Sequence, residues 1–429
     1  MYCKFCGAQL DDDSTFCAKC GKETGDKPKK NMPKALKIVL AVLGGLVLVA
    51  ALVAMVYYGL YGTLKPREND VQYKDNYSIS DEKLADKLDT VVATMGQSKL
   101  TNRQLQVFYW MHVYNYGSYY DVDLSKDLSK QIMDEDKGLT WQQYFIECAM
   151  ISWQQYQALA NLAQENNYTL PAEYQKVIDG IADEAKKDAE DAGFASIDEM
   201  MAADFGKGVT LKEYTEYFRL YYLGSAYFSE LVEKQEVTEK EMDDYFAKNG
   251  ANMKTQWSLA IKKDMGKLVD VRHILVEVKG TGKDDKGNAV VTDADWETCR
   301  TEAQKIYDEW LKGEKDESSF ADAAYEHSAD GNYSDGGLYE DISKGIMVKE
   351  FEDWCFDESR KQGDHGMVKT KFGYHIMFYV DGEDGYVRYC RDGILREKAD
   401  TMLDEILEQN KVEADYKAIA LANINLASK

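Results

Sequence analysis

Apolar and polar positions change their spacing several times along the chain, and each change marks a segment of different character. From Ile38 to Leu64, 27 consecutive residues carry no charge. As a helix this run would reach roughly 40 Å, more than the ~30 Å of hydrocarbon a bilayer presents. Lys27, Lys29, Lys30, Lys34 and Lys37 precede it, while Tyr57, Tyr58 and Tyr61 crowd its far end. Cations on one flank and interfacial rings on the other predict a single transmembrane helix over 38–64. By the positive-inside rule, residues 1–37 lie in the cytoplasm and the rest lies outside it. The run is too long for a cleaved signal peptide, and a cysteine-rich module comes before it.

Residues 67–265 keep a helical period. Helix-opening pairs recur in which Ser or Thr is followed three residues later by Glu or Gln: Thr101/Gln104, Thr140/Gln143, Ser196/Glu199, Thr210/Glu213 and Thr238/Glu241. Pro171 adds a helix-opening proline. The stripes between them, such as LQVFYWMHVYNY and YTEYFRLYYLGSAYFSELV, are rich in aromatic residues. Stripes at this spacing build a core, or else line a groove for apolar client segments. His112, alone inside one stripe, reads as a packed core histidine.

The period changes again at 269–381. A strand-like run, VDVRHILVEV, leads through a Gly/Asp/Lys-rich loop to helices at about 293–312 and 320–327. A third helix is expected near 348–356, with strands near 367–370 and 374–380 closing the block. That order suits a small antiparallel sheet packed against helices, an α+β arrangement. After it, DGEDGYVRYC reads as a connection into a last helix, GILREKADTMLDEILEQN.

Charge and cysteines refine this picture. The net charge is −24, yet the first 66 residues are net positive, so the acidity belongs to residues 67–429. Such a surface repels phosphate backbones, and nucleic acid is excluded as a partner there. Of eight cysteines, Cys3, Cys6, Cys17 and Cys20 form two C-x-x-C pairs, each followed by glycine. Four thiolates on two tight turns are the donor set of a closed, structural zinc site. So small a module folds on its metal, and it resembles the zinc ribbons at the N-termini of bacterial membrane proteins. Cys148, Cys299, Cys355 and Cys390 are scattered, and their spacing leaves them open as free thiols or disulfides.

The block at 269–381 is recognisable by its motifs. V-R-H-I-L at 271–275, S-A-D at 328–330, G-G-L at 336–338, M-V-K-E-F-E at 347–352 and F-G-Y-H-I at 372–376 resemble the parvulin (PpiC) family in order and spacing. The resemblance implies a peptidyl-prolyl cis-trans isomerase needing no cofactor. His273 and His375 would be the paired histidines at the floor of its site, with Asp330 beside them. Leu338, Met347 and Phe351 would hold the proline ring, Met347 and Phe351 lying one turn apart on a helix, and Phe372 would stand on the rim. One motif departs from the family: its acidic residue after the paired glycines has no match in D-G-G-L-Y at 335–339. The loop after the first strand lacks a dense basic cluster, so phosphorylated substrates are not expected. His327 and His365 match no motif and read as surface residues.

The whole arrangement is similar to extracytoplasmic foldases of the PrsA and SurA class. It implies a zinc ribbon at 1–25, a basic linker at 26–37, the membrane helix, a helical chaperone-like domain at 67–265 and the parvulin domain at 269–381. A C-terminal helix at 386–429 would pack back on the helical domain. Expected partners are unfolded exported proteins with X-Pro bonds, the membrane, and a cytoplasmic protein docking on the ribbon. Two other functions compete with the enzyme: a holdase with an inactive parvulin scaffold, and a signalling device joining the ribbon inside to a peptide-binding domain outside.

Overall fold

The computed structural model describes residues 71–117, 122–283 and 289–424. The cysteine module, the basic linker and the apolar run Ile38–Leu64 lie outside the described residues. Among the described residues, no helix is long and apolar enough to cross a membrane.

The first part begins with β1 (Ser78–Ile79), α1 (Asp81–Ala85) and the hairpin β2 (Val91–Met95) and β3 (Ser98–Thr101). Helix α2 (Asn102–Tyr116) follows, then the short pair β4 (Ile132–Asp134) and β5 (Leu139–Thr140). Five helices complete it: α3 (Trp141–Glu165), α4 (Ala172–Ala192), α5 (Ile197–Phe205), α6 (Leu211–Glu233) and α7 (Glu239–Asn249). Each of the five Ser/Thr–Glu/Gln pairs caps a helix start, the Ser or Thr oxygen accepting a backbone N–H of the first turn. Pro171 stands at the cap position of α4, just before its first turn. The aromatic stripes are core: Phe108, Tyr109, Trp110, Phe145 and Trp153 are buried in one cluster. His112 is buried with them, its Nε2 2.8 Å from Ser152 Oγ.

The second part holds β6 (Lys267–Glu277), β7 (Gly282–Lys283), β8 (Ala289–Val290), α8 (Asp293–Trp310), α9 (Glu317–His327), β9 (Leu338–Ile342), α10 (Lys349–Cys355), β10 (His365–Thr370) and β11 (Gly373–Asp384). Four strands form an antiparallel sheet in the order β10-β11-β6-β9. Side chains alternate between its faces. Ile274, Ile376 and Phe378 pack against Trp310 of α8 and Phe320 of α9. On the other face Val269, Val271, Met377 and Tyr379 pack against Phe351 and Cys355 of α10. Two glycines are required by close approaches. A Cβ on Gly337 (φ +69°) would lie 2.2 Å from the His273 carbonyl oxygen, and one on Gly373 (φ +149°) 2.0 Å from that of Val276.

The last part departs from the sequence expectation. DGED belongs to β11, and α11 (Gly385–Gln409) starts at once, the Asp384 carboxylate accepting the Val387 N–H. Ala399 and Leu403 of α11 pack with Leu159, Phe228 and Val232 of α3 and α6. Beyond it, β12 (Glu413–Ala414) pairs with β2, and β13 (Leu421–Ala422) runs parallel to β1. Tyr416, Ile419 and Leu421 thereby join the core of the first part. Two buried amides on α2 complete this join. Asn102 and Gln106 accept the N–H groups of Ala420 and Ala422 and donate to the carbonyls of Ala418 and Ala420.

Candidate functional site

Residue alternation on β6 and β11 puts His273 and His375 on the face that α10 covers, on adjacent strands. Their Nδ1 atoms are 3.1 Å apart, and the rings overlap with centroids 5.3 Å apart. Both are almost wholly buried. Burial, which penalises charge, pushes His273 down to about 4, with the Asp330 carboxylate and the Asn332 amide pulling the other way. His375 is pushed down to about 3, by burial first and by its histidine neighbour second. Both rings are therefore neutral at pH 7, each with one N–H and one acceptor nitrogen.

The surrounding groups assign the tautomers. His273 Nε2 makes no hydrogen bond but faces the Asp330 carboxylate at 3.8 Å, an acceptor, which favours the tautomer with the proton on Nε2. His273 Nδ1 then accepts from His375 Nδ1–H. His375 Nε2 in turn accepts the Thr370 hydroxyl at 2.9 Å, and Thr370 Oγ1 accepts the Phe372 N–H at 3.1 Å. A directional chain thus runs from the β10–β11 turn through both imidazoles, and its last nitrogen, His273 Nε2, faces Asp330 at 3.8 Å without a hydrogen bond of its own. The Asp330 carboxylate also accepts the Tyr339 hydroxyl at 2.9 Å and the Asn332 N–H at 3.2 Å. Ser328 sets this loop against β6 by accepting the Leu275 and Asp330 N–H groups.

Above the imidazoles sits an aromatic cup. Phe351 stands edge-on to both His273 and His375, at 5.4 Å from each, and Tyr339 lies over His273 at 4.9 Å. Met347 is half-buried against the same cluster. It precedes Val348, the cap residue of α10, so it lies before the helix rather than one turn along it from Phe351. Leu338 is a correction. On β9 it faces away from Tyr339, and it is Tyr339 that packs with Met347 and Phe351 over the histidines. The register shows it, Tyr339 pairing with Val271 and Leu338 with Arg272; the motif letter did not. Phe372 is half exposed at the β10–β11 turn, with Lys371 over its ring.

Sequence reasoning passed over several groups that hold the site. Buried Arg272, the residue before His273, pairs with Glu317 at 2.9 Å and donates to the carbonyls of Asp335 and Gly336, fixing the Gly-Gly turn. Thr370 lay outside the motifs but extends the polar chain, and Asn332, also outside them, donates to the Leu338 carbonyl. His327 is exposed, whereas His365 is half-buried, bonded to the Tyr307 hydroxyl and edge-on to Trp310. The four scattered cysteines are all buried free thiols. Among the described residues no group of three or more His, Cys, Asp or Glu could hold a metal ion. The proposed zinc ligands Cys3, Cys6, Cys17 and Cys20 lie outside the described residues.

Comparison with known proteins bears on the block that carries this site. Residues 257–382 match the PPIC-type PPIase domain, and residues 2–24 match a zinc-ribbon domain. The chain is 28% identical over 194 residues to foldase protein PrsA 1 of Listeria monocytogenes, covering 45% of this chain and 53% of that protein. It is likewise 28% identical over 160 residues to foldase protein PrsA 1 of Listeria innocua, covering 37% of this chain and 45% of that one. The chain thus spans about half the length of the curated relatives it matches. Among solved structures, the solution structure of TbPIN1 is 31% identical, covers 27% of this chain and 98% of that one, and has a TM-score of 0.21. PrsA from Bacillus subtilis is 18% identical, covering 66% and 92%, with a TM-score of 0.23. The chain therefore carries a parvulin-type (PPIC) peptidyl-prolyl isomerase domain.

Proposed function

We propose that the protein is a membrane-anchored, extracytoplasmic peptidyl-prolyl isomerase and foldase that assists exported proteins. The observation that carries this reading is the buried chain Thr370–His375–His273 facing Asp330 at 3.8 Å beneath the cup of Tyr339, Met347 and Phe351. Rotation of a peptide bond meets a barrier of ~18–20 kcal/mol because resonance stiffens C–N. The isomers of an X-Pro bond differ by only ≈ 0.5–1 kcal/mol, so a folding chain needs rate rather than bias.

The cup supplies rate by two routes. Twisting the amide ends its resonance and reduces its dipole, so a water-poor aromatic site disfavours the planar form more than the twisted one. The fixed Asp330 charge acts in the same direction on a carbonyl oxygen that is most negative when planar. Together they need to lower the barrier by only ~4 kcal/mol for about three orders of magnitude in rate. No step requires a nucleophile. The neutral imidazoles form the cup floor without adding a charge that would bind the planar amide, while the Tyr339 hydroxyl and the Asn332 N–H hold Asp330 in place.

The remaining parts of the proposal rest on the sequence. The run Ile38–Leu64 anchors the chain, and the ribbon faces the cytoplasm. There Cys3, Cys6, Cys17 and Cys20 hold a structural zinc ion, the donor set being four thiolates on two glycine-ended turns. Clients are unfolded exported proteins with X-Pro bonds. A protease-coupled prolyl-isomerisation assay on the full chain tests the reading, with the double variant Asp330→Ala, Met347→Ala as control. Acceleration abolished by the double variant supports it. No acceleration, with suppressed aggregation of an unfolded client, leaves a holdase on a parvulin scaffold.

A further inference from the structure

Strand β9 is the edge of the sheet nearest the cup, and it is gripped from both sides by the segments that join the isomerase domain to the helical domain. On the incoming side, residues 250–262 fold into a tight loop closed by a bridge between Lys254 and Ala260. The side chains of Gln256 and Trp257 both donate to the carbonyl of Glu340, the residue after Tyr339. The Trp257 ring stands edge-on to Tyr339, 5.6 Å away. An edge strand leaves every second carbonyl unpaired, and here the free one beside the cup is taken by this loop.

On the outgoing side, α11 inserts a buried arginine. Arg388 contacts Asp270 of β6 at 2.9 and 3.0 Å, Asp341 of β9 at 3.3 Å and Asp381 of β11 at 3.1 Å. Asp270 and Asp381 are direct cross-strand neighbours, a like-charge pair that repels without a shared cation. Asp341 adopts φ +54°, a left-handed backbone at a non-glycine, and its N–H donates to Asp270 at 2.8 Å. The Tyr389 hydroxyl donates to the same Asp341 carboxylate. Asp341 is two residues from Tyr339, and Asp270 three from His273. The far half of α11 is packed on α3 and α6 through Ala399 and Leu403.

We infer that Trp257, Arg388 and Tyr389 are positioning residues for the isomerase site, setting Tyr339 over His273 by holding β9 from both connections to the helical domain. The inference rests on the reading of Tyr339 as part of the cup. Its consequence is that the helical domain, through α11 and the 250–262 loop, controls the geometry of the proline site. Removing Arg388 outright would leave three carboxylates facing one another and threatens folding. The test therefore uses Tyr389→Phe, which deletes only the hydroxyl, and Trp257→Leu, which deletes the N–H and the ring.

Both variants are made in the full chain, purified in detergent with histidine labelled in the imidazole ring. The chain has five histidines, so the His273 signal is separable from the others, and His112 in the helical core serves as internal control. Each variant should shift the His273 resonance, leave His112 in place, and lower kcat/KM on a short X-Pro peptide about three- to tenfold. A His273 signal and kcat/KM identical to the wild type in both variants would overturn the inference and leave a purely structural bolt. If the wild-type chain shows no isomerase activity, the functional reading fails while the His273 shift still decides the positioning claim.

Discussion

The helical domain and the isomerase domain both bury polar side chains, but they connect them differently. In the helical domain, Asn102 and Gln106 spend their hydrogen bonds on backbone groups, chiefly those of one distant segment, residues 418–422, with one each to the carbonyls of Lys87 and Asn102. His112 meets Ser152 inside an aromatic core. In the isomerase domain the buried groups are strung end to end, Thr370 to His375 to His273, and the string faces a partly exposed carboxylate, Asp330, at 3.8 Å. The first pattern closes on itself and holds a fold together. The second has an open end, at a carboxylate that solvent can reach. Burial of a histidine is thus no sign of function; what its second nitrogen faces is.

The contrast breaks most sharply with one substitution in each region. Gln106→Leu should cost about 3 kcal/mol of stability, since two buried backbone groups of the tail lose their partner. Chemical denaturation of the full chain would show it, and kcat/KM on a short peptide should stay at the wild-type level. Asp330→Ala should do the reverse. It removes a partly exposed carboxylate, so stability shifts little, while kcat/KM falls by about 100-fold, equivalent to ~2.7 kcal/mol in the barrier. A large activity loss in the Gln106 variant would mean that the two regions are not separable in this way.

What the sequence disclosed depends on the range of the interactions. The helix starts were legible because a cap and its partner are three residues apart, and all five such pairs cap helices. His273, His375 and Phe351 were legible through motifs whose spacing survives insertion elsewhere. Leu338 was misplaced because a motif letter carries no strand face, and only the register of β9 against β6 shows that Tyr339 looks into the cup. Arg388 was hidden in what read as a connection, DGEDGYVRYC, because its three carboxylate partners are contributed by three strands. The Asn102 and Gln106 joins span more than 300 residues, which no local pattern records.

A smaller effect tests how the two halves of the site share Asp330. Tyr339→Phe keeps the ring over His273 and removes the hydroxyl that donates to Asp330 at 2.9 Å. Losing one hydrogen bond to a charged group that water can replace is worth about 0.5–1 kcal/mol here, so kcat/KM should change about threefold. A change as large as that of Asp330→Ala would show that the hydroxyl, rather than the carboxylate, carries the effect.

The smallest expected effect is the dependence of activity on pH between 6 and 8, and it separates a buried pair from an exposed one. An ordinary histidine titrates near 6.5 and would bend the profile in the middle of this range. His273 and His375 are held near 4 and 3, chiefly by burial, so neither gains a proton until the solution is far more acid. Measured kcat/KM should therefore vary less than about twofold from pH 6 to 8. Stability depends on the same shifts with a definite sign. Below about 6.5 the unfolded chain takes up protons at these histidines while the folded chain does not, so stability falls as pH drops from 6.5 towards 4 and is fully present above 6.5. His112, pushed down to about 3 by burial alone, adds to that acid limb from the helical domain. Unfolding measured at pH 7 and pH 5 should thus show both regions weakened at the lower pH, whereas activity of the protein that remains folded should hold. A bend in kcat/KM near pH 6.5 would mean that one imidazole of the pair is exposed and charged in the working enzyme, and the neutral relay from Thr370 to Asp330 would be wrong.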